Sequence, residues 1–494
     1  MESVLEGVIK KCHQSNDNIA LVYENEFITY SDLLRKSQQL GTVLKLKGVR
    51  PGDRVCLFVK NSIDYVIAYY AIWFSGAVVI ALDVDVKLEQ IKTILEHSQA
   101  FMLLTGKGLK TADYIHENKN FKNDTIYVLE NLISESQSIN NDNVLTTLPN
   151  PASIASIIYT SGTTGEPKGV VLTHNNIIKN MLSIMAYLPI SRGDKTLNVL
   201  PFYYSYGNSI LHTHLLSGAT LYLENSMLFP KKIIDKVIAE SITSFYGVPS
   251  TYILLLKNKT FNRLSDSHLK YIAQAGGKMP DYVTRQLLDS LQSTDLFVMY
   301  GQTEATARIA YLEPEYLQKK IGSVGRPVKD VKVEIRSEKG EVLADNVEGE
   351  LYIKGENVMQ GYWADQQMTK RVLIDGWLKT GDIGYIDTDG FIFLSGRNGD
   401  MLKVGGHRIS PLEIEEIIIQ LDFIDEVAVT GIDDMINGQV PKAVVVVNEV
   451  NNNFDREIKS YCSKNLAGYK IPKVIEYVKE LPKTSSGKVK RYLL

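Results

Sequence analysis

Over most of its length the chain alternates two hydrophobic rhythms, one of helical period and one of short apolar runs. "ITYSDLLRKSQQLGTVLKLKG" puts Thr29 and Asp32 at capping-box-like spacing, continues with leucines at helical period and stops at Gly48, which predicts a helix. "DRVCLFV" (53–59) follows as a strand, then a helix over 62–74, then "GAVVIAL" (76–82) as another strand. Strand, helix and strand at these lengths predict a parallel, right-handed crossover in a sheet covered on both faces. "KTLNVLPF" (195–202), "ATLYLE" (219–224) and "ITSFYGVP" (242–249) repeat the rhythm with helices between them.

From about residue 320 the pattern changes to short alternating strands set off by glycine and Asp-Gly turns: "VGRPVKDVKVEIRS", "GELYIKG" and "GFIFLSGR", an antiparallel texture. Beyond Gly396, "PLEIEEIIIQL" predicts a helix with Pro411 near its start, "EVAVTGI" and "KAVVVV" predict strands, and "DREIKSYCSKNL" a second helix. The expected fold class is therefore α/β, with stacked α/β subdomains and a β-rich subdomain over 1–396 and a small α+β unit over 397–494. "NEVNNNFD" (448–455) is a short polar loop, and there are no internal repeats.

Length supports the division, because 494 residues exceed the roughly 250–300 at which single cores stop growing. With 44% apolar residues, 22% charged residues and a net charge of −3, the composition is that of an ordinary globular protein. It lacks the clustered basic excess of a nucleic-acid binder. Cys12, Cys56 and Cys462 are too scattered for a disulfide framework or a paired-ligand metal site. "MESVLEGVIKKCHQ" has acids near its start and no apolar core, unlike a secretory signal, and a reducing cytoplasm is the expected location. "YVIAYYAIWFSGAVVIAL" (65–82) approaches membrane-spanning length, but Ser75-Gly76 breaks it into a buried helix and a strand, so no membrane partner is expected.

The chemistry gathers in loops. "YTSGTTGEPKG" (159–169) has bare backbone, hydroxyls and one lysine, the material of a phosphate cradle and equally of a flexible surface loop. It is not a Walker loop, since Glu166 and Pro167 separate Gly165 from Lys168. Further stretches of this character follow in order: "MYGQTEA" with Glu304, "DGWLKTGDIGYID" with Asp382, "SGRNGDMLKVGGHRISPLEIEE" with Arg397, and "LPKTSSGKVKR" with Lys488. Taken singly, Glu304 could cap a helix, Asp382 could sit in an Asx turn, and Lys488 could be one solvated cation among Lys483, Lys490 and Arg491.

Together these motifs resemble the adenylate-forming superfamily of acyl-CoA synthetases, stand-alone and peptide-synthetase adenylation domains and firefly-type luciferases, from about residue 20 to the end. The resemblance implies ATP and Mg²⁺ as cofactors, a small carboxylic or amino acid as substrate, and a mobile C-terminal domain. It implies an acyl-adenylate formed with loss of pyrophosphate and passed to a thiol, of CoA or of the phosphopantetheine of an acyl or peptidyl carrier protein. A carboxylate is already ionised at neutral pH, so such a site needs cations and oriented donors more than a general base. By resemblance, Thr160, Ser161, Gly162, Thr163, Thr164, Gly165 and Lys168 hold the phosphates and Glu304 holds Mg²⁺. Asp382 binds the ribose with Arg397 assisting, and Lys488 bridges the carboxylate and the α-phosphate. Ala275, Gly276 and Gly277, with Tyr300, Gly301, Gln302 and Thr303, complete the nucleotide slot. The family's pivot usually carries Asp or Lys two residues beyond the arginine of the "GR" pair; here Gly399 stands there, with Asp400 next to it, and "KVGGHR" borders the pantetheine tunnel.

Peptide-synthetase domains place an Asp against the substrate's ammonium group, and the corresponding position here is Ser205. "LPFYYSYGNSILHTHLLSGA" looks more like the "FHSYG" pattern of acyl- and aryl-CoA synthetases, with Tyr204 at their histidine. An ordinary α-amino acid loses support, although a cyclic one such as proline stays open. Ser205, Tyr206, Ser209, Tyr246, Gln274, Ala275 and Arg308 are expected to wall a compact, partly polar acid pocket. Arg308 either pairs with a second carboxylate on the substrate or ties down a neighbouring loop. CoA and a carrier protein stand level as acceptors.

Overall fold

The computed structural model describes residues 1–109, 125–146, 148–161, 167–404, 407–435, 437–447, 453–483 and 489–494. The first predicted helix is Tyr30–Leu46; its N-cap Thr29 accepts from the Asp32 N–H at 3.2 Å, and the chain leaves it through Gly48 at φ +94°. The predicted crossover is present, with strands Arg54–Phe58 and Val78–Ala81 parallel and Arg54 opposite Val78. Between them runs Ile63–Phe74, a helix buried on every side except at Asp64, which accounts for the long apolar run. Among the described residues no helix is long and apolar enough to cross a membrane.

Three sheets organise the described residues. In a seven-stranded sheet, the parallel strands Arg54–Phe58, Val78–Ala81, Met102–Thr105 and Ile126–Val128 adjoin an antiparallel hairpin, Ile154–Ser161 with Pro167–Thr173. A fourteen-stranded sheet carries the parallel strands Lys195–Asn198, Thr220–Leu223, Ser244–Gly247, Tyr271–Gln274 and Asp295–Tyr300. The β-rich texture after residue 320 is a continuation of this sheet, entered through the antiparallel strand Ala310–Leu312. A five-stranded sheet after residue 400 packs helices Pro411–Ile418 and Phe454–Asn465, with Pro411 in the first helical turn as expected.

Two strands differ from the pattern reading. "KTLNVLPF" is strand only to Asn198, whose side-chain amide donates to Leu200 O at 2.8 Å and turns the chain before Pro201. "VGRPVKDVKVEIRS" splits into Ser323–Pro327 and Lys332–Arg336, because Asp330 takes φ +65° between them. The strand Val474–Tyr477, parallel to Gly438–Val447, is short and only half buried, and its pattern did not stand out. All three cysteines are buried free thiols, and burial pushes Cys12 and Cys56 up to about 12 and Cys462 up to about 11.

Candidate active site

Parallel strands of a doubly covered sheet deliver their loops to one edge, and the motif residues lie on such loops. Tyr300 ends the strand Asp295–Tyr300, and Asp382 lies on Trp377–Ile386 opposite Arg397 in the ladder to Ile392–Arg397. The Tyr300 hydroxyl donates to Asp382 Oδ2, and Arg397 Nε donates to Asp382 Oδ1 at 3.0 Å. Asp382 is buried while Arg397 is half exposed, so one end of the pair is fixed and the other reaches solvent. The Asp382 charge raises the Arg397 pKa further, and burial followed by the same carboxylate raises that of Tyr300, which stays a neutral donor.

Gly301 allows the next turn, since a Cβ there would lie 1.8 Å from the Ala307 carbonyl oxygen. The turn delivers Gln302, Thr303 and Glu304. Glu304 Oε1 accepts from the Tyr362 hydroxyl at 2.9 Å, and Lys168 Nζ lies 5.9 Å from the centroid of the Tyr362 ring. One tyrosine therefore bridges a carboxylate from one sheet and a lysine from the other. Tyr362 is the residue that motif reading missed; it pairs with Val170 in the ladder beside Lys168. Burial and then the Glu304 charge raise its pKa, so it remains a donor. Gln302, Glu304, Tyr362, Thr380, Gly381 and Arg371 line one open cavity. A second cavity is walled by apolar side chains such as Ile233, Phe261 and Leu264 in a separate core cluster and carries no such chemistry.

Ala275, Gly276 and Gly277 follow the strand Tyr271–Gln274, with Gly276 at φ +88°. Lys278, next in the chain, pairs with Glu416 of the C-terminal helix Pro411–Ile418 at 2.8 Å, and Lys257 pairs with Asp425. The adenine-slot loop is thus tied to the small α+β unit. Thr160 stands opposite Lys168 in the hairpin ladder. Gly162, Thr163, Thr164, Gly165 and Lys488 lie outside the described residues, as does the side chain of Ser161.

The acid-side residues do come together, but their polarity faces inward. Tyr206 donates to Ala273 O at 3.1 Å, Ser209 to Tyr206 O at 2.6 Å, and Ser205 shares a 3.3 Å contact with Thr303. His214 Nδ1 lies 2.8 Å from Ile210 O and so carries the proton; its Nε2 accepts from Tyr246 at 3.4 Å, and Tyr271 completes the chain at 2.6 Å. Burial lowers the His214 pKa to about 4, which keeps that acceptor neutral. Gln274 donates to Gly277 O at 2.6 Å and leaves Oε1 without a partner. The expected partly polar wall is therefore apolar toward its interior at the tyrosines. Arg308 is 2% exposed, with Cζ 5.1 Å from the Tyr206 ring centroid.

A model of the AMP-binding enzyme family matches residues 9–363, and one of the AMP-binding enzyme C-terminal domain matches residues 413–488. The chain is 31% identical over 468 residues to a 2-succinylbenzoate–CoA ligase of Geobacillus sp., covering 94% of this chain and 91% of that protein. It is 30% identical over 523 residues to a long-chain-fatty-acid–CoA ligase of Bacillus subtilis, covering 96% and 91%. Among solved structures, the O-succinylbenzoate coenzyme A synthetase of Bacillus subtilis in complex with ATP and magnesium ion is similar at TM-score 0.86 and 27% identity, over 98% of each chain. With the nucleotide-side geometry in the expected loops and the family model spanning most of the sequence, this chain belongs to the AMP-binding enzyme family.

Proposed function

We propose that this protein is an ATP-dependent ligase that activates a small carboxylic acid as its acyl-adenylate and transfers the acyl group to the thiol of CoA. The observation that carries the reading is the Tyr300–Asp382–Arg397 arrangement beside the Glu304–Tyr362–Lys168 bridge. In the first step an acid carboxylate oxygen attacks the α-phosphorus of ATP, the bond to the bridging oxygen breaks, and pyrophosphate leaves. In the second, the thiol sulfur attacks the acyl carbon and AMP departs, its phosphate taking the bonding electron pair.

Asp382 is assigned to the ribose hydroxyls, because it is an oriented carboxylate whose place Tyr300 and Arg397 fix. Lys168 and residues 160–165 are assigned to the departing phosphates, and Lys488 to the charge that develops between the two anions. Magnesium prefers a carboxylate or two plus substrate phosphates over an all-protein cage. A single oriented Glu304, with no cluster of three or more metal-ligating side chains among the described residues, fits that habit. The ion supplies charge neutralisation on the phosphates.

The names of the relatives support CoA as the acceptor, while no observation favours a carrier protein. The absence of a carboxylate at Ser205 and the presence of Arg308 weigh against an amino acid. We place the enzyme in the cytoplasm and take 1–396 and 397–494 as its working units, with rotation near Gly399 and Asp400. Lys488→Ala should lower acid-dependent ATP–pyrophosphate exchange by about 10²–10³-fold while ATP binding persists. Wild-type exchange in that variant would remove Lys488 from the mechanism, and wild-type protein that forms no CoA thioester with any acid would remove the ligase reading.

A further inference from the structure

We infer that Arg308 is the specificity residue of the acid pocket and that the substrate is a dicarboxylic acid, one carboxylate being adenylated and the other neutralising this guanidinium. The inference rests on the acyl-activating reading above and names its substrate class.

Two duties were open to Arg308, and the structure assigns the loop-tying duty to other groups. The Arg308 backbone N–H donates to Asn180 Oδ1 at 3.0 Å, and its carbonyl accepts from Asn180 Nδ2 at 2.8 Å and from Asn357 Nδ2 at 3.2 Å. Two buried asparagines from distant segments therefore hold the loop through its main chain. The side chain is left over: Nε is enclosed without a hydrogen-bond partner, and no carboxylate lies within ion-pair distance of the guanidinium among the described residues.

The surroundings cannot supply the missing charge. Burial raises the pKa of Tyr206 more strongly than Arg308 lowers it, and the same holds for Tyr187, so both phenols stay neutral. The unpartnered Gln274 Oε1 is a neutral acceptor. The Tyr206 ring covers a face of the guanidinium, a favourable contact that leaves its in-plane N–H groups uncommitted. A buried cation without a counter-ion is strongly destabilising, and a planar fork of donors is the shape that a carboxylate fits with two parallel hydrogen bonds. Tyr206 links this cation to the acid side, since its hydroxyl is bonded to the strand that ends at Gln274 and Ala275. An α-ammonium group in the same pocket would meet repulsion.

The test compares mono- and dicarboxylic acids of matched skeleton, such as butyrate with succinate and benzoate with 2-succinylbenzoate, in ATP–pyrophosphate exchange. Wild-type enzyme should prefer the better dicarboxylate over its matched monoacid by at least about 100-fold in kcat/KM, the tenfold-per-1.4-kcal/mol equivalent of a buried charged pair. Arg308→Met should bring that ratio close to one, and Arg308→Lys should retain part of it. In a thermal melt with no ATP, the dicarboxylate should raise the wild-type melting temperature and leave that of Arg308→Met unmoved, whereas chloride at equal ionic strength should do neither. A wild-type preference for monoacids that survives Arg308→Met overturns the inference while leaving the ligase reading intact. Equal stabilisation by chloride overturns it as well, marking an anion site unconnected with the substrate. Failure of every acid to support exchange overturns both.

Discussion

The two halves of the site solve the problem of buried polarity in opposite ways. On the nucleotide side, Asp382, Tyr300, Arg397, Glu304 and Tyr362 bond to one another, and the free edge of the group points into an open cavity. On the acid side, the hydroxyls of Tyr206, Ser209 and Tyr246 turn back to protein acceptors, and one guanidinium is left without a charge partner. A ligand common to the whole family can be met by a prearranged network, whereas a ligand that varies is met by an apolar wall with one unsatisfied group. A buried polar group without its partner costs more than a made hydrogen bond returns, so the unsatisfied group defines what must arrive.

The largest effect separating the halves should come with pH. Two of the three buried histidines, His212 and His214, lie on the helix that carries Ser205, Tyr206 and Ser209. Burial lowers His174 and His214 to about 4 and His212 to about 3, below the ordinary 6.5. The unfolded chain then binds more protons than the folded one between pH 6.5 and 4, so stability is full above 6.5 and is lost as pH falls through that window. At pH 4.5 the loss is on the order of 2 kcal/mol per histidine. Urea unfolding at pH 7 and 4.5 measures it. His174→Phe, which removes a ring whose Nδ1 has no partner, should flatten the dependence by about one histidine's share; an unchanged slope would refute this origin.

Next in size is Asp382→Asn, which keeps the shape of the nucleotide network but removes the charge that Arg397 faces. Hydrogen bonds to charged groups contribute about 1.5–3 kcal/mol, equivalent to roughly a 10- to 150-fold rise in the KM for ATP. The KM for the acid should move far less. Equal rises in both would mean that the two halves do not act separately. Tyr362→Phe should be milder, about 0.5–1.5 kcal/mol in kcat/KM for ATP, since only the bond to Glu304 is lost.

The difference between the halves is also a difference in what could be read from the chain. Glu304, Asp382 and Arg397 sit in short glycine-punctuated stretches whose local turns set their positions, so order and spacing were enough to name them. The crossover and the Thr29 cap were legible for the same reason, being local. Tyr362 was not, because its link to Glu304 spans 58 positions and arises from a two-residue strand pairing with Pro167–Thr173. For Arg308 the sequence left two duties open. The choice between them depends on Asn180 and Asn357, 128 and 49 positions away, which no local pattern connects.

The smallest expected effect falls on Ser209, named from the sequence as a pocket wall. Its hydroxyl donates to the Tyr206 carbonyl one helical turn back, a local side-chain-to-backbone bond within Ser205–Ser217. Alanine removes that bond but has the higher helix propensity, by about 0.5 kcal/mol, so the two changes nearly cancel in stability. Because the hydroxyl is committed to the helix, Ser209→Ala should leave the KM for the acid within about threefold, under 0.7 kcal/mol. A tenfold or greater rise, with the KM for ATP unmoved, would show that this hydroxyl turns toward the substrate on binding, and the apolar-wall description of the acid side would then fail at this position.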